Sequence, residues 1–301
     1  MLYSSRVGTL ALVAALALMT GCQGCSTADR AAPVRAPAVA VRPFAAAPRE
    51  APRPARAALA RIDSVAAMRP APLPGGFVRL RDVAPAVAEE MRYHTAFNFV
   101  GARIAGYRAP TCILTREAAR ALAAVDADLA ARGLGLKVYD CYRPQTAVDH
   151  FARWARSGDE AMKRGFYPTE ATATLFERGY IASRSGHSRG STLDLTLVRR
   201  PAAAHVVRRY PDPAAGPLPR CDRGLGERFA EGDLDMGTAY DCLSTRAATA
   251  DRRVSPAAQR NREALRAAMD RHGFDDYSKE WWHFTLRDEP FPRTYHTFPV
   301  E

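Results

Sequence analysis

The segment from residue 26 to about residue 75 limits where this chain can fold, because it lacks the side chains needed to build a core. Ala, Pro and Arg make up most of it, and large apolar residues are few and scattered. Such a composition buries too little surface to offset the conformational entropy lost on ordering. We therefore expect a disordered tether over residues 22–76, followed by one folded domain over residues 77–301.

Charge in the tether accounts for much of the basic character of the chain. Eight arginines against three acidic residues give the tether a net charge of +5, nearly half of the net +11 of the whole sequence. This charge favours loose attraction to anionic lipid or cell-wall polymer. Nucleic acid is not an expected partner, because the residues that precede the tether indicate export.

Those first residues have the pattern of a bacterial lipoprotein signal. Arg6 supplies a positive charge, and an apolar run from Leu10 to Met19 follows. The run is too short to cross a bilayer as a mature helix. It closes with Met19-Thr20-Gly21-Cys22, which resembles a lipobox. Residues 1–21 are thus predicted to be removed and Cys22 to be lipidated, giving a periplasmic protein anchored in the inner or outer membrane. An ordinary cleaved signal peptide is the alternative.

Four cysteines fall within the expected domain: Cys112, Cys141, Cys221 and Cys242. An even number of cysteines in an exported domain favours disulfide bonds. Three pairings are possible, and we favour Cys112 with Cys141 and Cys221 with Cys242, which close the shorter loops. None of these four cysteines belongs to a CxxC motif, which argues against a structural zinc site in the domain.

Hydrophobic periodicity and capping signals predict an α+β domain. Helices are expected at residues 116–132, 145–157, 170–178 and 256–273, and strands at residues 136–142, 191–198 and 281–286. In the strand at 191–198, leucines alternate with polar residues, so that one face is apolar and the other polar. Because helices and strands follow no regular βαβ alternation, we predict a central, mostly antiparallel sheet packed by helices.

Two polar segments carry the residue types of a metal site. The first places His187 just before a predicted strand and Asp194 on the polar face of that strand. A carboxylate there needs a partner, and imidazole nitrogen and carboxylate oxygen both suit zinc. The second segment, Glu280-Trp281-Trp282-His283, offers His283 as a third ligand. Three protein ligands leave one tetrahedral position open, which is typical of a catalytic rather than a structural site.

Glu280 precedes His283 by three residues, so on a regular strand the two side chains would point to opposite faces. Both serve one site only if Glu280 lies at a bend or at the start of the strand. A carboxylate in that place would take a proton from water and return it to the leaving amine. Taken singly, each of these residues is more often a surface, edge or core residue, and only their combination indicates a metal site.

The pattern SxHxxGxxxD followed by ExWH resembles the zinc peptidases of the hedgehog and D-Ala-D-Ala peptidase superfamily. The segment Asp140-Cys141-Tyr142-Arg143-Pro144 is similar to the strand and loop that carry the essential arginine of D-alanyl-D-alanine dipeptidases. The segment Tyr277–His283 and the tail from Leu286 to Pro290 are similar to the same family. This resemblance covers about residues 77–301 and implies the α+β fold of that superfamily.

The resemblance also implies the catalytic roles. His187, Asp194 and His283 would hold one zinc ion per chain. Glu280 would be the general base and then the general acid. Arg143 would bond the scissile carbonyl oxygen and stabilise the oxyanion.

The same resemblance implies how the substrate is held. Asp241 and Tyr93 would bind the free ammonium group, and Ser185 would help to hold the far end. The implied reaction is the hydrolysis of D-alanyl-D-alanine to two D-alanines. Wall turnover, nutrient use and resistance to glycopeptide antibiotics all employ this chemistry.

Two departures from the family pattern bear on the substrate range. Near Tyr93 the family often carries an acid before the asparagine, where this chain has Phe97. Residues 199–228 form a long, Pro-rich stretch that includes Cys221. This stretch has the character of an insertion between the metal-binding strand and the loop of Met236, and we expect it to form a lid or a rim.

Two other functions are compatible with the same residues. A D,D-carboxypeptidase or endopeptidase acting on peptidoglycan stem peptides would use the same metal site, and the tether would give it reach. It would need an open groove without an ammonium trap, so Asp241 argues against it. A non-catalytic, metal-dependent binding module would have no need for Glu280 or Arg143.

Overall fold

The computed structural model describes residues 72–202 and 208–301. The predicted signal peptide, the lipidation candidate Cys22 and almost all of the predicted tether lie outside the described residues. Within the described ranges, no helix combines the length and the apolar character that crossing a bilayer requires.

One mixed sheet forms the centre of the described fold. The strands, in chain order, are β1 (Phe77–Arg79), β2 (Ala88–Glu89), β3 (Ile113–Thr115), β4 (Leu134–Asp140), β5 (Thr192–Arg199), β6 (Phe274–Tyr277) and β7 (Glu280–Leu286). Five of them form the sheet in the order β2-β4-β5-β7-β6, while β1 and β3 pair separately. Only β2 and β4 run parallel within the sheet. The predicted α+β fold with a mostly antiparallel sheet is therefore confirmed.

Two of the four helices in the described ranges begin at a side-chain cap. The helices are α1 (Arg116–Ala130), α2 (Gln145–Ser157), α3 (Lys163–Phe166) and α4 (Pro256–Arg271). The hydroxyl of Thr115 accepts the N–H of Ala118 at 3.3 Å at the start of α1. The hydroxyl of Ser255 accepts the N–H of Ala258 at 3.1 Å at the start of α4. These bonds satisfy amides that have no partner inside the helix.

The helix predicted over residues 170–178 is wrong. That segment holds only a short 3-10 turn, Thr172–Thr174. Its β-branched threonines are weak helix formers, and the hydroxyl of Thr174 donates to the carbonyl of Ala171 at 2.9 Å. The carboxylate of Glu170 is held by an ion pair with Arg178 at 2.7 Å. Short turns, supported by these side-chain contacts, thus stand in place of a regular helix here.

Strand β5 separates an apolar layer from the polar face that carries the candidate metal ligand. Leu193, Leu195 and Leu197 are fully buried in the main core together with side chains of α1 and α4. The alternate side chains Thr192 and Asp194 are buried as well, on the other face. A second, largely aromatic core, which includes Tyr93, Phe99, Tyr142 and Phe151, packs separately from the first.

Two disulfides fasten loops near the sheet. Cys112 is bonded to Cys141, with 5.3 Å between the Cα atoms, and Cys221 is bonded to Cys242, with 5.5 Å. Both predicted pairings are confirmed. The first disulfide fixes the end of β4 just before Arg143, and the second ties the predicted insertion to the residue that follows Asp241.

Candidate active site

Three side chains from β5, β7 and the turn before β5 converge on one point. Nε2 of His187 and Nδ1 of His283 lie 3.3 Å apart. They lie 3.3 Å and 3.2 Å from Oδ1 of Asp194, respectively. In a tetrahedral zinc site with metal–ligand distances of about 2.0–2.1 Å, the ligand atoms are about 3.3 Å apart. The triangle of atoms therefore has the size that a zinc ion requires.

The fold produces this triangle through strand pairing and one tight turn. Asp194 of β5 lies directly opposite His283 of β7 in the antiparallel register. His187 lies in a short 3-10 turn, Gly186–Arg189, which Ser185 caps and Gly190 ends. Gly190 has a φ of +86°, and a Cβ atom there would lie 2.2 Å from the ring of Phe77. Only glycine can end the turn in this position.

The surroundings of the three ligands fit a metal ion. Nδ1 of His187 bonds the carbonyl oxygen of Cys141 at 2.7 Å, which leaves Nε2 as the lone-pair nitrogen. Tyr240 donates its hydroxyl to Oδ2 of Asp194. Oδ1 of Asp194 is buried and has no hydrogen-bond partner. A buried carboxylate oxygen without a partner, facing two imidazoles, is satisfied when a cation binds between them.

Glu280 lies at the start of its strand, as its three-residue spacing from His283 requires if both side chains serve one site. Strand β7 begins at Glu280, and the pairing with β6 shifts register between Asp276 and Tyr277. This irregularity brings Oε2 of Glu280 to 3.6 Å from Nδ1 of His283. Burial, together with the negative charges of Asp194 and Asp241, raises the pKa of Glu280 well above its ordinary value. Such a carboxylate is basic enough to accept a proton near neutral pH.

Arg143 is held as a fixed cation beside the metal ligands. Its Nε and Nη2 atoms donate to Oδ2 of Asp140 at 2.9 Å and 2.8 Å. Its Nη2 atom is also 3.5 Å from Oδ2 of Asp194. The guanidinium lies over the rings of Tyr93 and Phe151, with its Cζ atom 5.0 Å and 5.3 Å from their centroids. The aromatic walls and the acid leave it little freedom to move.

Asp140 supports Arg143 from behind and had no role in the sequence analysis. It is fully buried, and Tyr107 donates its hydroxyl to Oδ1 of Asp140 at 2.6 Å. Oδ2 of Asp140 also lies 3.4 Å from Nδ1 of His187. One carboxylate thus contacts both the cation and a metal ligand. The sequence places Asp140 and Arg143 in one motif and His187 in another, and it does not show that the three meet.

A cavity of about 270 Å³ lies beside these groups. This volume lies just below the range of about 300 to 1,000 Å³ that is usual for ligand pockets. Its apolar walls include Phe99, Phe151 and Trp282. All the predicted catalytic and substrate-binding residues contribute to its lining: Tyr93, Arg143, Ser185, Asp241 and Glu280. The cavity suits a small, polar ligand.

Asp241 is a buried acid in this cavity, and one of its carboxylate oxygens has no partner. Its backbone is left-handed, with a φ of 57°, and its Oδ2 atom is buried without a hydrogen bond. Burial and the negative charge of Asp194 raise the pKa of Asp241 to about 8, although Arg143 and a hydrogen bond from Tyr93 oppose the shift. A cation entering the cavity would restore the charged form.

Tyr93 and Ser185 occupy their predicted places on the cavity wall. The ring of Tyr93 makes edge contacts with Phe99 and Tyr107, with centroids 5.9 Å and 5.7 Å apart. Oγ of Ser185 accepts the N–H of His187 at 3.3 Å. Tyr93 thus forms part of the cavity wall, and Ser185 caps the turn that carries His187.

Arg184 lines the cavity and was missed by the sequence analysis. It is exposed, and its guanidinium lies over the ring of Tyr295, with Cζ 5.0 Å from the centroid. Among the described residues, no carboxylate forms an ion pair with it. In the sequence, only its position three residues before His187 indicated that Arg184 lies near the site. It supplies a free positive charge at the cavity.

Phe97 and the stretch 199–228, the two places where the chain departs from the family pattern, contact each other and do not line the cavity. Phe97 stacks on Tyr210 of the predicted insertion, with centroids 4.9 Å apart and planes within 13°. Neither Phe97 nor any described residue of the stretch 199–228 lines the cavity. The described part of that stretch therefore forms neither lid nor rim. The expectation was wrong there because the stretch packs against Phe97 and the buried acid Glu90.

Known proteins similar to this chain are D-alanyl-D-alanine dipeptidases. A family model described as D-ala-D-ala dipeptidase matches residues 74–206 and 228–301. The dipeptidase of Enterococcus faecium is 34% identical over 227 residues, which cover 75% of this chain and 98% of that protein. The dipeptidase of Streptomyces coelicolor is 35% identical over the same length and the same shares. The dipeptidase of Escherichia coli is 32% identical over 210 residues, or 69% of this chain and 83% of that protein.

Proposed function

This chain belongs to the D-alanyl-D-alanine dipeptidase family of metallopeptidases, and from that premise we propose that it hydrolyses D-alanyl-D-alanine to two D-alanines at a zinc site. The observation that carries the proposal is the triangle of ligand atoms, with sides of 3.2–3.3 Å, beside Glu280. His187, Asp194 and His283 would hold the ion. Zinc bound there would supply a Lewis acid for the scissile carbonyl group and a lowered pKa for water.

Proton transfer falls to Glu280. Its carboxylate takes a proton from the attacking water and returns it to the amine of the leaving D-alanine. The raised pKa of Glu280 matches this double task, because a weakly basic carboxylate would not hold the proton long enough to deliver it. Burial of the side chain also keeps bulk water from exchanging that proton.

Charge stabilisation falls to Arg143. As the carbonyl carbon becomes tetrahedral, negative charge grows on its oxygen, and the guanidinium lies ready to donate to it. Asp140 fixes the guanidinium through two contacts of 2.8–2.9 Å, so little reorganisation is needed during the reaction. A cation held in this way stabilises the transition state more than the flatter ground state.

Selectivity for a free dipeptide follows from charges on the cavity wall. Asp241 and Tyr93 bind the ammonium group of the substrate, and Arg184 pairs with its carboxylate. A longer peptide would bury one of these protein charges without a partner or clash with the walls. This arrangement supports a dipeptidase over a carboxypeptidase that acts on stem peptides.

The test is hydrolysis by the zinc-loaded chain of free D-Ala-D-Ala, of an L,D-dipeptide and of N-acetyl-D-Ala-D-Ala. We expect the free D,D-dipeptide to be the best substrate. The Glu280→Gln variant should retain zinc but lose about 10²- to 10⁴-fold in kcat. A preference for the acetylated peptide would indicate a carboxypeptidase instead. Bound zinc without hydrolysis of any peptide would indicate a binding module.

We further propose that the chain is exported and anchored by a lipid on Cys22. The lipobox-like sequence, the long basic tether and two disulfides in the domain support this location. In cells fed a labelled fatty acid, the protein should carry the label in the membrane fraction. The Cys22→Ala variant should lose the label. Unlabelled wild-type protein in the soluble fraction would indicate an ordinary signal peptide.

A further inference from the structure

Cys221 holds the loop that carries Asp241 at two points. Its carbonyl oxygen accepts the N–H of Ala239 at 2.9 Å, two residues before Asp241. Its sulfur is bonded to Cys242, one residue after Asp241. Cys221 and Cys242 are both buried. A single residue of the insertion thus restrains the chain on both sides of the acid.

Asp241 needs such restraint, because its native conformation is unfavourable in two ways. Its φ of 57° lies in the left-handed region, which aspartate enters more readily than most residues but still at a cost in free energy. Its carboxylate is buried, and Oδ2 has no partner within the protein. An acid in this state would move toward solvent if its loop were free to relax. It keeps its place only when the surrounding structure imposes it.

The support behind Cys221 is itself firmly packed. Tyr210 stacks on Phe97 and donates to Oε1 of Glu90 at 3.2 Å. Nε of Arg208 donates to Oε2 of Glu90 at 3.0 Å. Leu218 is buried in the aromatic core. The insertion therefore attaches to the body of the domain on its own, before it reaches the loop of Asp241.

This support lies outside the part of the chain that the family pattern covers. The match to the family model stops at residue 206 and resumes at residue 228, and Cys221 lies between these limits. The described stretch is also absent from the cavity lining. The insertion does not line the cavity, but it is bonded to the loop of Asp241, which does. Any effect of the insertion on substrate binding is therefore exerted through that loop.

We propose that Cys221 is a positioning residue for substrate recognition: the insertion and its disulfide hold the carboxylate of Asp241 where it binds the free ammonium group of a D,D-dipeptide. The inference rests on the proposed function and deepens it. If the inference holds, the preference for free dipeptides depends on the Cys221–Cys242 disulfide, of which Cys221 lies outside the residues that match the family model.

The experiment compares the full chain with its Cys221→Ser/Cys242→Ser double variant on two substrates. One is D-Ala-D-Ala, and the other is propionyl-D-Ala, which has nearly the same shape but lacks the ammonium group. We expect KM for D-Ala-D-Ala to rise at least about tenfold while kcat stays within about threefold. The value of kcat/KM for propionyl-D-Ala should stay unchanged. Zinc content and the thermal midpoint establish that the variant is folded.

Two matched variants complete the design. Asp241→Asn gives the full rise in KM for D-Ala-D-Ala that follows from losing the charge. The double variant should also raise this KM. Tyr210→Ala loosens the insertion but leaves the disulfide in place, so it should raise KM for D-Ala-D-Ala by a smaller factor. This variant carries the test if the double variant does not fold.

Several outcomes would overturn the inference. One is an unchanged KM for D-Ala-D-Ala in a folded variant whose lost disulfide is verified by mass spectrometry. Another is an equal fall in kcat/KM for both substrates, which would mean a purely structural role for the disulfide. An unchanged KM in Tyr210→Ala would also count against it. Absence of hydrolysis by the wild-type chain would overturn the proposed function, and this inference with it.

Discussion

Tyr240 donates its hydroxyl to Oδ2 of Asp194 at 3.1 Å, while Oδ1 of the same carboxylate faces the two imidazoles. The backbone N–H of Tyr240 is held in turn by Oε2 of Glu231 at 2.9 Å. The orientation of a candidate metal ligand thus depends on a residue 46 positions away along the chain. Partners of this kind tune the affinity of metal sites without touching the ion.

The Tyr240→Phe variant should bind zinc about 10- to 100-fold more weakly, because Asp194 loses the bond that orients it. Competition with a chromophoric chelator measures this affinity directly. Tyr139→Phe is the matched control, since its ring stacks on Tyr240 with centroids 4.2 Å apart while its hydroxyl bonds Asp233. Equal zinc affinity of Tyr240→Phe and the wild type would contradict the assignment.

The strand that carries Asp194 was predictable because the pattern that indicates it lies within the strand's own residues. Leucines alternate with polar residues in β5, and a two-residue period produces two faces in any strand. The caps Thr115 and Ser255 were predictable for the same reason, since each bonds an amide three residues ahead. The helix predicted over 170–178 was wrong because the backbone there forms three-residue turns, as in the bonds of Thr174 to Ala171 and of Leu175 to Thr172.

The site was only partly predictable, because its decisive contacts join distant parts of the chain. The motif resemblance supplied His187, Asp194 and His283, but not the register shift that brings Glu280 into the site. The packing of Tyr210 on Phe97 depends on burial of both rings, which no sequence period encodes. The insertion was visible in the sequence, but the side of the domain on which it packs was not.

Replacing Arg184 by Ala should raise KM for D-Ala-D-Ala about tenfold and leave kcat nearly unchanged. The reason is that the guanidinium contributes an ion pair to the carboxylate of the substrate in both ground state and transition state. The wild type should discriminate against D-alanyl-D-alaninamide, which lacks that charge, and the variant should discriminate much less. Arg184→Lys should restore part of the preference. Steady-state kinetics on D-Ala-D-Ala and on D-alanyl-D-alaninamide measure this preference. If Arg184→Ala kept the wild-type preference for D-Ala-D-Ala, Arg184 would not be the partner of the substrate carboxylate.

Substrate binding should depend on pH through Asp241. The pKa of this carboxyl is raised to about 8, first by burial and then by the charge of Asp194. It is therefore neutral at low pH, and kcat/KM should rise as the carboxylate forms on the approach to pH 8. Zinc bound at Asp194 offsets the second cause and moves the rise to lower pH. Above about pH 8 the substrate ammonium loses its own proton and the rate falls again.

The pH profile of Asp241→Asn checks this assignment. An amide cannot ionise, so the variant should lose the acidic limb that belongs to Asp241, and its kcat/KM should be low throughout. The matched control is Asp128→Asn, an exposed acid paired with Arg271, whose removal should leave the profile unchanged. An identical acidic limb in Asp241→Asn and the wild type would assign that limb to another group.

Glu90 should contribute to the acid sensitivity of the fold. Burial alone would raise the pKa of this carboxyl, but Arg92 and Lys137 outweigh burial and lower the pKa to about 2 from an ordinary 4.5. A carboxyl with a depressed pKa in the folded state contributes stability above pH 4.5 and loses that stability as the pH falls toward 2. The shift corresponds to about 3 kcal/mol of unfolding free energy.

Urea unfolding of the metal-free chain between pH 7 and pH 2 measures this loss without a contribution from zinc release. Glu90→Gln should be less stable at pH 7, because buried Lys137 loses its charged partner and buried Arg92 keeps only Glu231. Its stability should fall less on acidification. Glu263→Gln removes an exposed partner of Arg266, so its curve should stay within about 0.5 kcal/mol of the wild type. A Glu90→Gln variant with the full wild-type acid dependence would show that other carboxylates carry it.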